Sequence, residues 1–156
     1  MIRVQAEDFD VAAEIRALTA GRDDLGAVVS FTGLVRRGEG EAAIRAMTLE
    51  HYPGMTEKEL QRIEAEARTR WPLSATTIIH RHGRLVPGDS IVLVITASRH
   101  RQAAFEAAEF LMDYLKTSAP FWKKEEPLQG EGNWVNAKST DDAAAIRWQD
   151  DQSPAK

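Results

Sequence analysis

Ile91-Val-Leu-Val-Ile-Thr96 follows the turn residues Pro87-Gly88-Asp89 and precedes a long helical pattern. An apolar run of this length without polar alternation reads as a strand covered on both faces, and it is expected to be the most buried strand of the molecule. A helix is expected next, over Arg99 to Lys116. Within it, Phe105, Ala108, Met112 and Leu115 recur at spacings of three and four and describe an apolar stripe facing a core.

Working outward, Ile2-Arg-Val-Gln-Ala6 alternates like a short strand, and a helix is expected over Val11 to Leu18. Leu25 to Gly33 reads as a strand, and Ile44 to His51 as another. The polar, glycine-rich stretch between them, Arg37-Gly-Glu-Gly-Glu-Ala42, is expected to be a loop joining an antiparallel pair. Tyr52-Pro53-Gly54 is a turn, after which Thr56 is expected to cap a helix with Glu59 completing a capping box. That helix runs to about Trp71, where Pro72 stops it. Extended segments are expected at Thr76 to His80, Phe121 to Glu125 and Asn133 to Lys138. Strand pairs mixed with helices, with no repeating strand-helix unit, favour an α+β fold.

At 156 residues the chain fits one domain, read as residues 1–148, with a polar tail over 149–156. No apolar run approaches the roughly 18 residues of a membrane span, and no basic segment leads into a long apolar one at the N-terminus. A cytoplasmic protein is expected. The formal charge of −4 argues against a nucleic-acid partner, so any anion-binding function must be local. There is no cysteine, which removes disulfides, thiolate zinc sites and any cysteine nucleophile or persulfide carrier.

The chemistry-bearing stretch is Asp113-Tyr-Leu-Lys-Thr-Ser-Ala-Pro-Phe-Trp-Lys-Lys-Glu125. It sets Lys116 and Lys123 on either side of a helix-ending Ala119-Pro120, where two lysines can converge on one pocket. At about 100° per residue Lys116 falls roughly 20° from Phe105, inside the apolar stripe. An amine starting there must snorkel out, pair with Asp113 or Glu109, or meet an anion bound on purpose. A second basic cluster is Ser98-Arg99-His100-Arg101, with Ser98 as the expected N-cap. Cations in a first helical turn oppose the helix dipole, so this cluster either docks an anion or reaches acids such as Glu106 and Glu109. Arg36 is a third basic point, just past a strand end.

Other patterns carry less. His80 and His82 lie two apart but have no third ligand at a useful spacing, so a non-metal role is expected. Gly38-Glu-Gly40 is not a phosphate loop. The serines show no nucleophile elbow, and the four tryptophans read as core or interface anchors.

Taken together, Phe31-Thr-Gly-Leu-Val-Arg36, Leu49-Glu-His-Tyr-Pro-Gly-Met55, Arg70-Trp-Pro-Leu73, Pro87-Gly-Asp89, Phe105-Glu-Ala107 and Asp113 to Lys123 resemble the large, catalytic subunit family of molybdopterin synthase, the MoaE type. The resemblance runs in one unbroken order over roughly residues 2 to 148. It implies an α/β hammerhead-type fold with antiparallel or mixed sheets packed by helices. It also implies a homodimer at the centre of a heterotetramer with two small ubiquitin-like sulfur carriers, the MoaD type. Each carrier ends in a Gly-Gly thiocarboxylate, and sulfur passes in two steps to cyclic pyranopterin monophosphate, forming the molybdopterin dithiolene.

No cofactor and no metal are implied, and the absence of cysteine fits a protein to which another chain brings the sulfur. The resemblance implies Lys116 and Lys123 as the catalytic pair, and Arg36, His100 and Arg101 as residues for the substrate's anionic groups. Leu34 and Val35, beside Arg36, and Lys124 and Glu125, beside Lys123, are implied to line the same site. Lys138 corresponds to a basic position reaching a partner's pocket. The pattern is broken at Arg37 to Glu41, where relatives carry an asparagine, which leaves that loop's contacts open.

Overall fold

The computed structural model describes residues 1–135 and 139–149. Among them are strands β1 (Ile2–Gln5), β2 (Ala27–Leu34), β3 (Ile44–His51), β4 (Leu73–Arg81), β5 (Gly83–Leu85), β6 (Ser90–Ser98), β7 (Phe121–Pro127) and β8 (Asn133–Val135). The helices are α1 (Val11–Thr19), α2 (Met55–Arg70), α3 (Arg101–Thr117) and α4 (Ser139–Ile146). The strands form two four-stranded sheets, ordered β1-β4-β6-β2 and β5-β3-β7-β8, the first mixed and the second antiparallel. The α+β expectation holds. Among the described residues, no helix is long and apolar enough to cross a membrane.

The apolar run is the buried strand it was expected to be. β6 lies between β4 and β2 and is buried from Val92 to Ser98. Alternation splits its side chains between two cores. Val92 and Val94 pack with Leu60, Ile63, Phe110, Leu111 and Leu115 under α2 and α3. Leu93 and Ile95 join Ile79 beneath Val11, Ile15 and Leu18 of α1.

After β6 the chain reverses and α3 lies back over β6 and β2. Two buried hydroxyls fasten the reversal: Ser98 Oγ donates to Pro72 O at 2.8 Å, and Thr96 Oγ1 donates to Ala104 O at 2.6 Å. Ser98 is therefore the last residue of the strand and not the helix cap; His100 takes the N-cap position with no side-chain capping bond. Held in the strand and turned toward the Pro72 carbonyl, the Ser98 hydroxyl is not placed to accept from the first N–H groups of α3, which begins at Arg101.

The apolar face of α3 also differs from the expected stripe. Its buried residues are Ala103, Ala104, Ala107, Ala108, Phe110, Leu111 and Leu115, whereas Phe105 is 60% exposed. Alanines let the helix backbone approach the sheet closely, so they, and not the aromatic ring, set which face is inside.

Three further expectations are corrected. β2 and β3 do not pair with each other; β2 pairs with β6, and β3 lies in the other sheet between β5 and β7. The chain changes sheets at Val35, which donates to Asp89 O and accepts from Gly88 N, both at 2.8 Å. The polar loop contains a single 3-10 turn at Gly40–Ala42. On α2 the cap moves upstream: Gly54 is the N-cap, its N–H bonded to Glu57 Oε2 at 2.7 Å, while Thr56 is buried and bonded to the backbone of Tyr52. The short strand β5 and helix α4 have no counterpart in the expectations.

Gly26 marks the tightest point of the β6-α3 reversal. A Cβ added there would stand 2.0 Å from the carbonyl oxygen of Arg99. Gly26→Ala is expected to cost about 1–3 kcal/mol in urea unfolding, the range for overpacking against an unyielding neighbour. Unchanged stability would show that the reversal has slack.

Candidate functional site at the helix break

α3 ends at Thr117, with Ser118 N–H bonded to Tyr114 O at 2.8 Å. Pro120 cannot continue the helix, and Phe121 N–H turns back to Ala119 O at 2.8 Å to start β7. Lys116 thus sits in the last helical turn, where the dipole favours a cation, and Lys123 is the third residue of β7.

Lys116 is exposed. It remains close in helical angle to Phe105, but both lie outside the buried face, with Lys116 about 140° from Leu111 at 100° per residue. The expectation that its amine starts from the core is overturned, because the stripe was centred on the wrong residues. Of the two acids near it in sequence, Glu109 meets Arg147 at 2.6 Å, and Asp113 meets Arg147 at 2.8 Å and accepts from Trp148 Nε1 at 2.7 Å.

Lys123 pairs across the sheet with Leu49 on one side and Val135 on the other. Directly opposed residues share a face, and Leu49 packs in a core with Val35, Ile44, Met47 and Leu85. Lys123 therefore emerges on the Val35 side of the sheet, with Glu125 Oε1 at 3.7 Å from its Nζ. Lys124 alternates to the opposite face, where its Nζ lies 5.9 Å from the Trp134 ring centre. Of the implied lining pair, Glu125 shares the face of Lys123 and Lys124 does not. Lys138 lies outside the described residues.

Arg36 and Leu34 are exposed on either side of buried Val35, held at the Gly88-Asp89 turn. This turn precedes β6, and β4 brings His80 opposite Val92 at the same end. His80 in turn stacks on Phe121 and feels the charge of Lys116. Arg36, Lys116 and Lys123 therefore gather at the β6 start. A cleft of about 340 Å³ lined by Met55, Lys58, Glu59, Arg62, Ser118 and Pro120 opens beside the same break.

His100 and Arg101 are elsewhere. They are exposed at the N-terminal end of α3, and the fifteen-residue step to Lys116 spans about 22 Å at 1.5 Å per residue. Among the described residues no carboxylate lies within ion-pairing distance of either one. Glu106, one acid they were expected to reach, accepts from Trp71 Nε1 at 2.7 Å and Gln102 at 3.0 Å. Within one chain, the two basic clusters stand at opposite ends of α3.

The residues missed from sequence are the histidines beside the break. His80 is buried, its Nδ1 is 2.8 Å from Arg81 O, and its ring lies on Phe121 at 3.7 Å. Among the described residues no group of three His, Asp or Glu is arranged to hold a metal. The sequence signal, His80 close to His82, was present but pointed to the wrong question. Trp71 and Trp148 are packing anchors around Phe110, while Trp122 and Trp134 are exposed.

A family model described as MoaE protein matches residues 4–118. The chain is 65% identical over 148 residues to a molybdopterin synthase catalytic subunit from Mesorhizobium japonicum, covering 94% of this chain and 92% of the relative. Its fold is similar to that of a molybdopterin biosynthesis MoaE protein from Burkholderia ambifaria, with a TM-score of 0.81 and 54% identity over 96% of this chain and 97% of that one. It also shares the fold of a chain in a complex of subunits 1 and 2 of molybdopterin-converting factor from Helicobacter pylori, with a TM-score of 0.70 and 21% identity over 88% of this chain and 90% of that one.

Burial, the largest cause, pulls the His80 pKa down from 6.5 to about 4; the Arg81 carbonyl opposes it, and the charges of Lys116, His51 and His82 add to it. The fold thus holds the neutral ring, whereas the unfolded chain takes up a proton near pH 6.5. His80's contribution is complete above that pH and is lost as pH falls toward about 4, a change on the order of 3 kcal/mol. Urea unfolding across this window is expected to show the loss, and His80→Phe is expected to flatten it, leaving the smaller slope from His51, whose pKa burial also lowers. An equally steep loss in His80→Phe would contradict the assignment.

Proposed function

The chain belongs to the MoaE family of molybdopterin synthase catalytic subunits, sulfurtransferases of molybdenum cofactor biosynthesis, and we propose that its reaction takes place at the helix break between Lys116 and Lys123. The observation that carries this reading is the gathering of Lys116, Lys123 and Arg36 at one end of the α3-β6 pair. The substrate is cyclic pyranopterin monophosphate. The sulfur arrives as the C-terminal thiocarboxylate of a small ubiquitin-like carrier, since this chain has no cysteine to hold it. Both transfers occur in the cytoplasm.

Lys116 meets the carrier's terminal thiocarboxylate, either transferring a proton as the sulfur attacks the substrate, or attacking the acyl carbon with its amine, in which case the C–S bond breaks, an amide forms and the sulfur leaves as sulfide for the substrate. Lys123 offsets the negative charge that develops as the cyclic phosphate opens. Arg36 holds the substrate's phosphate by charge-assisted hydrogen bonds.

His100 and Arg101 join this site from a second copy of the chain. β2 is an edge of its sheet and exposes Val28, Phe31 and Leu34 at 37%, 42% and 58%, next to exposed Phe105 on α3. An edge of this kind favours pairing. Two β2 strands paired antiparallel about a two-fold axis would set the Leu34 end of one against the Ala27 end of the other. Because Gly26 abuts Arg99, the partner's His100 and Arg101 arrive where Arg36 and Lys116 stand. One carrier on each outer side of this dimer makes the heterotetramer.

Single-turnover conversion of cyclic pyranopterin monophosphate, with the purified chain and a thiocarboxylated carrier, tests the reading. Wild type is expected to yield dithiolene, and Lys116→Ala to lower the rate by roughly 10²–10⁴-fold. Lys123→Ala is expected to slow the chemical step, and Arg36→Ala to weaken substrate binding. A trapped acyl adduct on Lys116 would identify it as the nucleophile. Normal product from Lys116→Ala, or none from folded, carrier-bound wild type, would overturn the proposal.

A further inference from the structure

Phe121 is the mechanical link between the two lysines. It stands between the Ala119-Pro120 break and Lys123, and it rests flat on His80, with ring centres 3.7 Å apart and planes inclined by 18°. His51 meets it from the end of β3 at 6.2 Å. The His51 ring is 4.6 Å from that of His82, and its Nδ1 is 3.3 Å from Thr56 Oγ1 in the first turn of α2. Three histidines and one phenylalanine therefore join the ends of β3 and β4, the start of β7 and the start of α2.

His80 is the fixed member of this group. Its strand is paired on both sides, with Val4 of β1 and Val92 of β6 opposite His80 itself. Its Nδ1 lies 2.8 Å from Arg81 O, and a carbonyl accepts only from an N–H, so the proton sits on Nδ1. That bond sets the plane of the ring. Phe121, by contrast, begins its strand immediately after a proline-terminated helix: its N–H turns back to Ala119 O, and its pair with His51 is the last in the register of β7 with β3.

We propose that His80 is a positioning residue for the lysine pair: its imidazole is a seat for Phe121, which sets where β7 leaves the break and hence how Lys123 stands relative to Lys116. This rests on the assignment of those two lysines to the chemistry. His80 itself touches no reacting atom in this account. A displacement of about 1 Å in a reacting group can cost on the order of 100-fold in rate, so a seat of this kind has kinetic consequences.

The test reads the lysines directly as well as through turnover. Wild type, His80→Ala, His80→Phe and Phe121→Ala are pulsed with acetic anhydride, and peptide mass spectrometry follows acetylation of Lys116, Lys123 and, as the control, the α-amine of Met1, which bonds Thr76 O away from the break. Single-turnover sulfur transfer is measured in parallel. His80→Ala and Phe121→Ala are expected to change Lys116 and Lys123 acetylation by about threefold or more, leave the Met1 α-amine unchanged, and lower turnover roughly 10- to 100-fold. His80→Phe, which keeps a flat seat, is expected to return both readouts to within about threefold of wild type.

Unaltered lysine reactivity in His80→Ala overturns the proposal, as does a His80→Phe protein as impaired as His80→Ala. Should His80→Ala fail to fold, Phe121→Ala removes the stack from its more accessible side and decides the matter by the same criteria. If wild type forms no product while lysine reactivity still responds, the functional reading fails and the positioning role stands. If product forms and acetylation is the same in every variant, the positioning role fails alone.

Discussion

The reversal between β6 and α3 is the constraint on which the rest of the molecule depends. A fully buried strand needs cover on both faces, and the helix that follows it supplies part of that cover by folding straight back. Ser98 and Thr96 spend their hydroxyls on holding this geometry, and Gly26 leaves room for it. Once the helix runs antiparallel to the strand, its two ends are about 22 Å apart and carry different chemistry. The C-terminal end delivers Lys116 to the break, beside Arg36 and Lys123. The N-terminal end presents His100 and Arg101 with no acid to receive them among the described residues.

That separation turns a question of chemistry into one of assembly. Basic residues crowded at one point repel one another unless an anion joins them, and a protein of net charge −4 concentrates positive charge only where it has use for it. Splitting the cations between the two ends of a helix avoids the repulsion within each chain. In the proposed dimer, a two-fold axis would bring them together and create a phosphate site only on assembly. The edge of β2, where Val28, Phe31 and Leu34 are exposed, is the surface proposed for that pairing.

Much of this was legible in the residues. The β6 run, the helix after it, the proline-terminated break and the two lysines flanking it were all read from local pattern, because each rests on near neighbours in sequence. The errors share a different cause. The inward face of α3 is not the one Phe105 suggests, because close packing on the sheet favours Ala104, Ala107 and Ala108. β2 and β3 were expected to form a hairpin, yet β2 found its partner in β6, and no local signal reports a choice of that kind. Ser98 had the right chemistry for a cap but met the Pro72 carbonyl first. The spacing of His80 and His82 raises only the question of a metal, whereas the place of His80 beneath Phe121 depends on contacts between distant strands.

A complementation experiment tests most directly the claim that one site is built from two chains. Lys116→Ala and Arg101→Ala proteins, each expected to be inactive alone, are unfolded together, refolded as a mixture and assayed for sulfur transfer. If the site draws Lys116 from one chain and Arg101 from the other, each mixed dimer contains one intact site, and random pairing restores about one quarter of wild-type activity. Activity no higher than that of the separate variants would contradict the account and place both residues' function within a single chain.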